Sequence, residues 1–250
     1  MKFNLIKYIK NEVEDLKVLL RSVPSIVMAL FTVSVILMNL LANKEIYTGV
    51  SWLALDCGLI VSWLSFLSMD MLTKRFGAKA SVKLSIVASA VNLLVCGILF
   101  AVSKIPGNWA EFYTYGIDEV NFALDSTIGG TWYILLGSTL AFLVASIFNS
   151  VLNVSIGKLF RKDTFTAYAV RSYVSTAIGQ FVDNMVFSLV VSHVFFGWTL
   201  IQCITCSLTG CIVELLCEIV FSPIGYRVCK KWETLDVGKA YFDFKKGWSK

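Results

Sequence analysis

Residues Ala169 to Gly197 read AVRSYVSTAIGQFVDNMVFSLVVSHVFFG, a stretch long and apolar enough to cross a bilayer. Within it Thr176, Gln180 and Asp183 recur at i, i+4 and i+7, with Ser172, Ser175 and Gly179 beside them, so one helical face is small and polar. Val174, Ile178, Phe181, Val182, Met185 and Val186 cover much of the rest. Unpaired polar groups are costly in hydrocarbon, so the stripe must face protein or water. Hydrogen bonding between helices accounts for the hydroxyls. It accounts less well for the carboxylate of Asp183, whose desolvation an apolar residue would avoid, and that points to a solute site.

Other apolar segments carry polar groups of the same kind: Asn39, Asp56, Asn92, Asn149, Glu214 and Glu218. Ionisable groups inside a membrane are functional candidates by default. For three of the six a bland role is the simpler expectation: Asp56 at the interface, Asn92 bonded to a neighbouring helix, and Glu218 paired with Arg227 or another cytoplasmic cation. The CITC sequence from Cys203 to Cys206, followed by Cys211 and Cys217, lies in an apolar span with no second CxxC. Such cysteines behave as small hydrophobes, and no metal or disulfide site is expected. His193 is the only histidine, and its place at a span end fits a structural role. The chain has no Ser, His and Asp set, no Gly-rich phosphate loop and no paired Cys and His. It therefore reads as a protein that is not an enzyme and needs no cofactor.

The elements that must position these residues follow from composition. Hydrophobic residues make up 57% of the chain, more than a water-soluble domain of 250 residues could cover with polar surface. The fold class is an all-α integral membrane protein. Six segments reach the roughly 20 apolar residues needed to span about 30 Å of hydrocarbon; they are 23–42, 50–69, 82–103, 131–154, 173–194 and 198–222. Of the 22 Lys and Arg residues, all but Lys44 and Lys104 fall on one side, while Glu111, Asp118, Glu119 and Asp125 crowd a loop on the other. The positive-inside rule then places both termini in the cytoplasm, in a multi-pass plasma-membrane protein. Because the basic residues flank spans, the net charge of +5 is a topological signal, and no nucleic-acid partner is expected beside the lipid bilayer.

Nothing at the N-terminus resembles a cleavable signal; residues 1–22 form an amphipathic cytoplasmic segment, on the inner leaflet or capping the bundle. Residues 23–222 form the six-helix transmembrane domain. Residues 223–250 form a basic cytoplasmic tail, with Pro223 at the exit of the last span. Asn39 with Asp70 and Asn149 with Asp183 recur in the same order in two halves of opposite orientation. That order suggests a three-plus-three inverted repeat with the site between halves. Lys74 lies one turn beyond Asp70, where a helix-terminal ion pair is the competing expectation.

SMDMLTKRFGAKAS (Ser68 to Ser81) resembles the segment closing the second helix of the vitamin uptake transporter family, also called queuosine precursor transporters. RSYVSTAIGQFVDN (Arg171 to Asn184) is similar to that family's fifth-helix pattern of Arg, Ser-Thr, Gln and Asp. LMNLLANK (Leu37 to Lys44) and AFLVASIFNSVLN (Ala141 to Asn153) are similar to its first- and fourth-helix segments. The resemblance implies a transporter importing queuine or the cyano- or aminomethyl-substituted deazaguanines for tRNA modification. By position it nominates Asn39, Asp70, Thr73, Asn149, Arg171, Ser175, Thr176, Gln180 and Asp183 as substrate-binding. Glu214 joins them as a departure, standing where the sixth helix often carries Lys; Lys74 replaces a common Glu and Ser146 a frequent Gln. The change at Glu214 bears on which precursor is preferred. A deazaguanine needs apolar walls and a few convergent amides and carboxylates, and Asp183 with Gln180 supplies the latter. Trp63, Phe66 and Phe187 are candidates for stacking. Two alternatives stay open: a substrate-binding membrane subunit energised by a separate ATPase, and a membrane scaffold or channel subunit. Homo-oligomerisation is left open as well.

Overall fold

The computed structural model describes residues 5–109, 118–129, 132–160 and 164–248. Lys2, Glu111, Arg161, Lys162 and Lys250, which entered the charge argument, lie outside them. The helices are α1 (Leu5–Ser22), α2 (Ser25–Leu41), α3 (Leu59–Phe76), α4 (Ala78–Val102), α5 (Asp118–Ile128), α6 (Trp132–Gly157), α7 (Phe165–Phe187), α8 (Leu200–Thr234) and α9 (Lys239–Trp248). A π-helical turn, Ser188–Ser192, extends α7. By length and composition four segments can cross a membrane, those of α4, α6, α7 and α8, and a fifth if α1 and α2, bent by 107°, form one span. The chain is thus a mostly helical, multi-pass membrane protein.

The interior combines an apolar core around Phe31, Phe66, Leu72 and Phe142 with many polar side chains, whereas large apolar residues cover the exterior of the helices. Ser62, Ser65, Ser68 and Asp70 of α3, Asn149 and Asn153 of α6, Ser172, Thr176 and Gln180 of α7, and Glu214 and Glu218 of α8 are buried, while Ile26, Leu30, Ile86, Leu94, Ile212 and Leu216 are exposed. Lipid accepts apolar side chains, so the polar ones turn inward, where small residues also let helices approach closely. This explains why α3 has low hydropathy yet sits centrally, packed on α2, α4, α6 and α8. Asn92 donates to Thr139 of α6 at 3.0 Å, the interhelical bond expected for it.

Two boundaries differ from the expected spans. Where a span was expected over 50–69, residues 45–56 form a hairpin of β1 (Glu45–Ile46) and β2 (Leu55–Asp56), and the helix begins only at Leu59. The apolar run through the hairpin had read as membrane; Gly49, at φ 75°, turns the chain instead, and Thr48 Oγ1 donates to the Leu53 carbonyl at 2.8 Å. At the other end Pro223 does not terminate a helix, since α8 runs through it to Thr234. Proline deprives the Ile219 carbonyl of its usual donor, and Ser222 Oγ donates there at 3.2 Å.

α1 turns away from α2 and caps the bundle. Leu19 enters the core, and the fully buried Asp15 pairs with Lys83 of α4 and, at 2.6 Å, with Lys245 of α9. Burial pushes the Asp15 carboxyl up, but the hydrogen bonds and charges of Lys245 and Lys83 outweigh it and hold the group below its ordinary value.

Candidate functional site

At the hairpin end a chamber is lined by Met38, Ala42, Asp56, Gly58, Leu59, Ser62, Ser138, Asp183, Asn184, Phe187 and Glu214. Its volume is about 30 Å³, room for about two waters. Ala42, Asp56 and Phe187 form its shared wall with a wider vestibule of about 340 Å³, completed by Asn43, Glu45, Ser192, Phe196 and Trp198. The vestibule is large enough for a small ligand, whereas the chamber, lined mainly by polar groups, is too small for one. The π-helical turn follows Phe187 directly and brings Ser192 to the vestibule wall, next to the candidate site, where such irregularities are common.

Glu214 organises the chamber. Its carboxylate accepts from Ser62 Oγ of α3 and from Asn184 Nδ2 at 3.2 Å. With the Gln180 amide turned so that its nitrogen faces the carboxylate, that nitrogen donates at 2.6 Å to Oε2. Gly210 of α8 makes room for this arrangement, because a Cβ there would lie 2.7 Å from Asn184 Nδ2. Asp183 is different: its Oδ1 is buried and has no donor. Asp56 Oδ1 accepts the Gly58 N–H at 2.7 Å, at the start of α3. It therefore lies in the wall of both cavities as well as at the helix end. Asn39 stands behind the chamber, accepting from Ser138 Oγ while its own Nδ2 has no partner.

A second cluster lies deeper, between α3, α6, α7 and α8. Asp70 accepts from Asn149 Nδ2 at 2.7 Å, Thr176 Oγ1 at 3.1 Å and Ser172 Oγ. Ser172 Oγ also meets Glu218 Oε1 at 2.7 Å. Ser175 accepts from Asn153 at 3.3 Å and donates to the Ser172 carbonyl. Gly179 lets α7 come this close: a Cβ there would stand 3.0 Å from Asn149 Cβ and 3.1 Å from the Phe66 ring. The ion pair between Asp70 and Lys74 does not form, because Asp70 is supplied from α6 and α7 and Lys74 reaches Glu233 at 3.7 Å. Glu218 likewise does not pair with Arg227; it is fully buried against Ser172.

Of the ten nominated residues, Asp183 and Glu214 line the chamber, with Gln180 and Asn39 in contact with its lining residues. Asp70, Asn149, Ser175 and Thr176 belong to the deeper cluster. Thr73 Oγ1 and the Arg171 Nε and Nη2 are buried without hydrogen-bond partners, and the Arg171 guanidinium lies 5.4 Å from the Tyr168 ring centre. Among the three aromatic candidates, Phe187 alone borders the cavities. Phe66 is core, and Trp63 stacks on Phe221 at 4.3 Å. Ser62 and Ser138 went unnoticed in the sequence, where a serine inside a span looks the same whether it packs or binds.

Residues 56–228 match the family described as putative vitamin uptake transporter. The chain belongs to that family. The matched region carries both polar clusters, leaving Met38 and Asn39 of α2 and Ala42 just beyond it outside the match. No curated protein and no solved structure shows a significant match. Family and fold together make this a membrane transporter of the vitamin-uptake type, which handles a small molecule.

Proposed function

We propose that the chain imports queuosine precursors, queuine or the cyano- or aminomethyl-substituted deazaguanines, through a six-helix bundle with both termini cytoplasmic. The observation that carries this is Asp183 Oδ1, a buried carboxylate oxygen without a donor on the wall of the chamber. A guanine-like edge offers adjacent N–H donors that a carboxylate accepts in pairs. Phe187, Phe196 and Trp198 line the vestibule through which such a flat solute would approach. In this orientation the hairpin end faces outward. Binding melts the chamber's small void into a solute site by moving the shared wall of Ala42, Asp56 and Phe187.

We also propose that the two halves form an inverted repeat. It equates Asn39 with Asn149 and Asp70 with Asp183. The bond from Asn149 to Asp70 is made, whereas Asn39 Nδ2 and Asp183 Oδ1 are both buried without partners. In this reading the Asn149–Asp70 contact is the made one of the two equivalent contacts and that of Asn39 with Asp183 the unmade one, the pattern expected of a carrier open towards the hairpin end. In a chain freed of native cysteines, a cysteine at Glu45, exposed at the vestibule, should be labelled from outside and protected by saturating queuine; labelling only from the cytoplasmic side would remove the assignment.

The test of the solute is thermal stabilisation of purified protein by queuine and by each deazaguanine, with riboflavin and biotin as comparison vitamins. Stabilisation by at least one deazaguanine is expected. Stabilisation only by another vitamin would refute the substrate while leaving the family role intact. Uptake by cells holding this chain without an ATPase module excludes the subunit alternative.

A further inference from the structure

Ser172 has one hydroxyl proton, yet its oxygen meets two carboxyl groups, Asp70 Oδ2 and, at 2.7 Å, Glu218 Oε1. A hydroxyl donates once, so the second contact needs a proton supplied by a carboxyl group. Asp70 already accepts from Asn149 and Thr176, which suits the anion. Glu218 has only Ser172, and its Oε2 is fully buried with no donor. An ionised carboxylate so poorly supplied inside a membrane is costly, and a neutral carboxylic acid is not. The counting therefore places the proton on Glu218: its O–H donates to Ser172 Oγ, whose own O–H donates to Asp70.

We propose that Glu218 is the proton-binding site that couples solute uptake to a proton gradient, exchanging its proton with Asp70 through Ser172. In the exchange Ser172 passes its hydroxyl proton to Asp70 Oδ2 and takes the proton of Glu218 Oε1. Two protons shift by one site each, for a net transfer of one proton; the serine ends as it began, and the negative charge passes from Asp70 to Glu218. Other ionisable groups near this cluster are Arg171, Tyr168 and Tyr173 of α7, Lys74 of α3 held by Glu233, and Glu214 and Cys229 of α8. From α6 the contact is Asn149, which does not ionise. The cluster is joined to the chamber by single helical turns. Thr176, on Asp70, precedes Gln180, on Glu214, by one turn of α7, and Glu214 precedes Glu218 by one turn of α8. A solute that moves the chamber wall thus moves the helices holding the proton site, and this coupling rests on the solute site proposed above.

Two measurements separate the proton site from the solute. Infrared difference spectra between acid and alkaline pH, recorded on the purified full chain without solute, should show a protonated-carboxyl band that Glu218→Gln removes; an identical band in the variant overturns the proposal. Proteoliposomes should accumulate labelled queuine under an inside-alkaline gradient. Glu218→Gln should lose that accumulation to the level of empty vesicles while keeping queuine exchange at zero gradient, because the glutamine amide still bonds Ser172. Loss of exchange together with accumulation in folded variant, or accumulation driven by sodium and indifferent to pH, overturns the coupling. Should Glu218→Gln not fold, Ser172→Ala keeps both carboxyls and breaks the exchange: the infrared band should persist and accumulation should fall, and undiminished accumulation refutes the relay. Wild-type vesicles that neither accumulate nor exchange queuine or either deazaguanine would defeat the solute assignment, and the infrared result then decides the proton site by itself.

Discussion

Asp183→Asn separates a solute-binding carboxylate from a packing one. The substitution keeps the shape of the side chain and replaces one acceptor oxygen with an amide nitrogen. In the free protein Asp183 Oδ1 receives no hydrogen bond, so the fold loses none at that atom. The substitution leaves no unpaired charge in the chamber wall, and the melting temperature should hold or rise. With solute bound, the new amide would confront a donor edge, leaving one or more donors unpaired at about 1 to 3 kcal/mol each. The expected result is roughly a tenfold to hundredfold weaker Kd. Both quantities should be measured on the same purified variant, by direct binding of queuine and by a thermal melt. Unchanged affinity with a lowered melting temperature would show that Asp183 is a packing residue and refute the reasoning.

Glu214→Gln should act in the opposite sense. Glu214 gathers Ser62, Gln180 and Asn184, so an amide there sets donor against donor, and the loss should appear as a lower melting temperature with the cyano and aminomethyl forms weakened alike. A selective loss for the aminomethyl form would place its amine on Glu214 instead. Gly210→Ala puts a methyl group into the space of Asn184 Nδ2 and should weaken the Asn184 to Glu214 bond by about 1 kcal/mol, read as a small drop in melting temperature; no drop would contradict the close approach. For orientation, in a chain freed of native cysteines, Tyr47→Cys should react with an impermeant reagent on intact cells and Lys79→Cys should not. Equal labelling of the two would overturn the arrangement with both termini inside.

The helical class and the polar stripe of α7 were legible because both depend on local periodicity, which hydropathy and a period of 3.6 residues report directly. The hairpin was not, since Val50 to Leu55 is as apolar as a span and only the turn at Gly49 and the bond from Thr48 distinguish it. Nor was the passage of α8 through Pro223, where Ser222 supplies a donor that no helix-stop rule anticipates. Asn92 behaved as its position in a span suggested, bonding across to Thr139. Glu218 did not, because nearness in sequence to Arg227 says nothing of which way a carboxylate turns when a hydroxyl on a neighbouring helix lies closer.

A helical face tells which residues point inward together, but not which partner each will meet, and in this bundle the partner decides the role. Asp183, Gln180 and Thr176 share one stripe. The structure nonetheless sends Gln180 to Glu214 and Thr176 to Asp70, leaving one oxygen of Asp183 unmet. Counting donors at each buried carboxylate therefore sorts them better than sequence position does. Glu214 and Asp70, each met by donors from other helices or turns, hold the bundle in register. On the proposals above, Glu218, with a single hydroxyl to share, carries the proton, and Asp183, with an unmet oxygen at the chamber wall, receives the ligand. A membrane interior makes that sorting sharp, since a carboxylate that the protein leaves unfinished is costly there unless a proton, a solute or cavity water completes it.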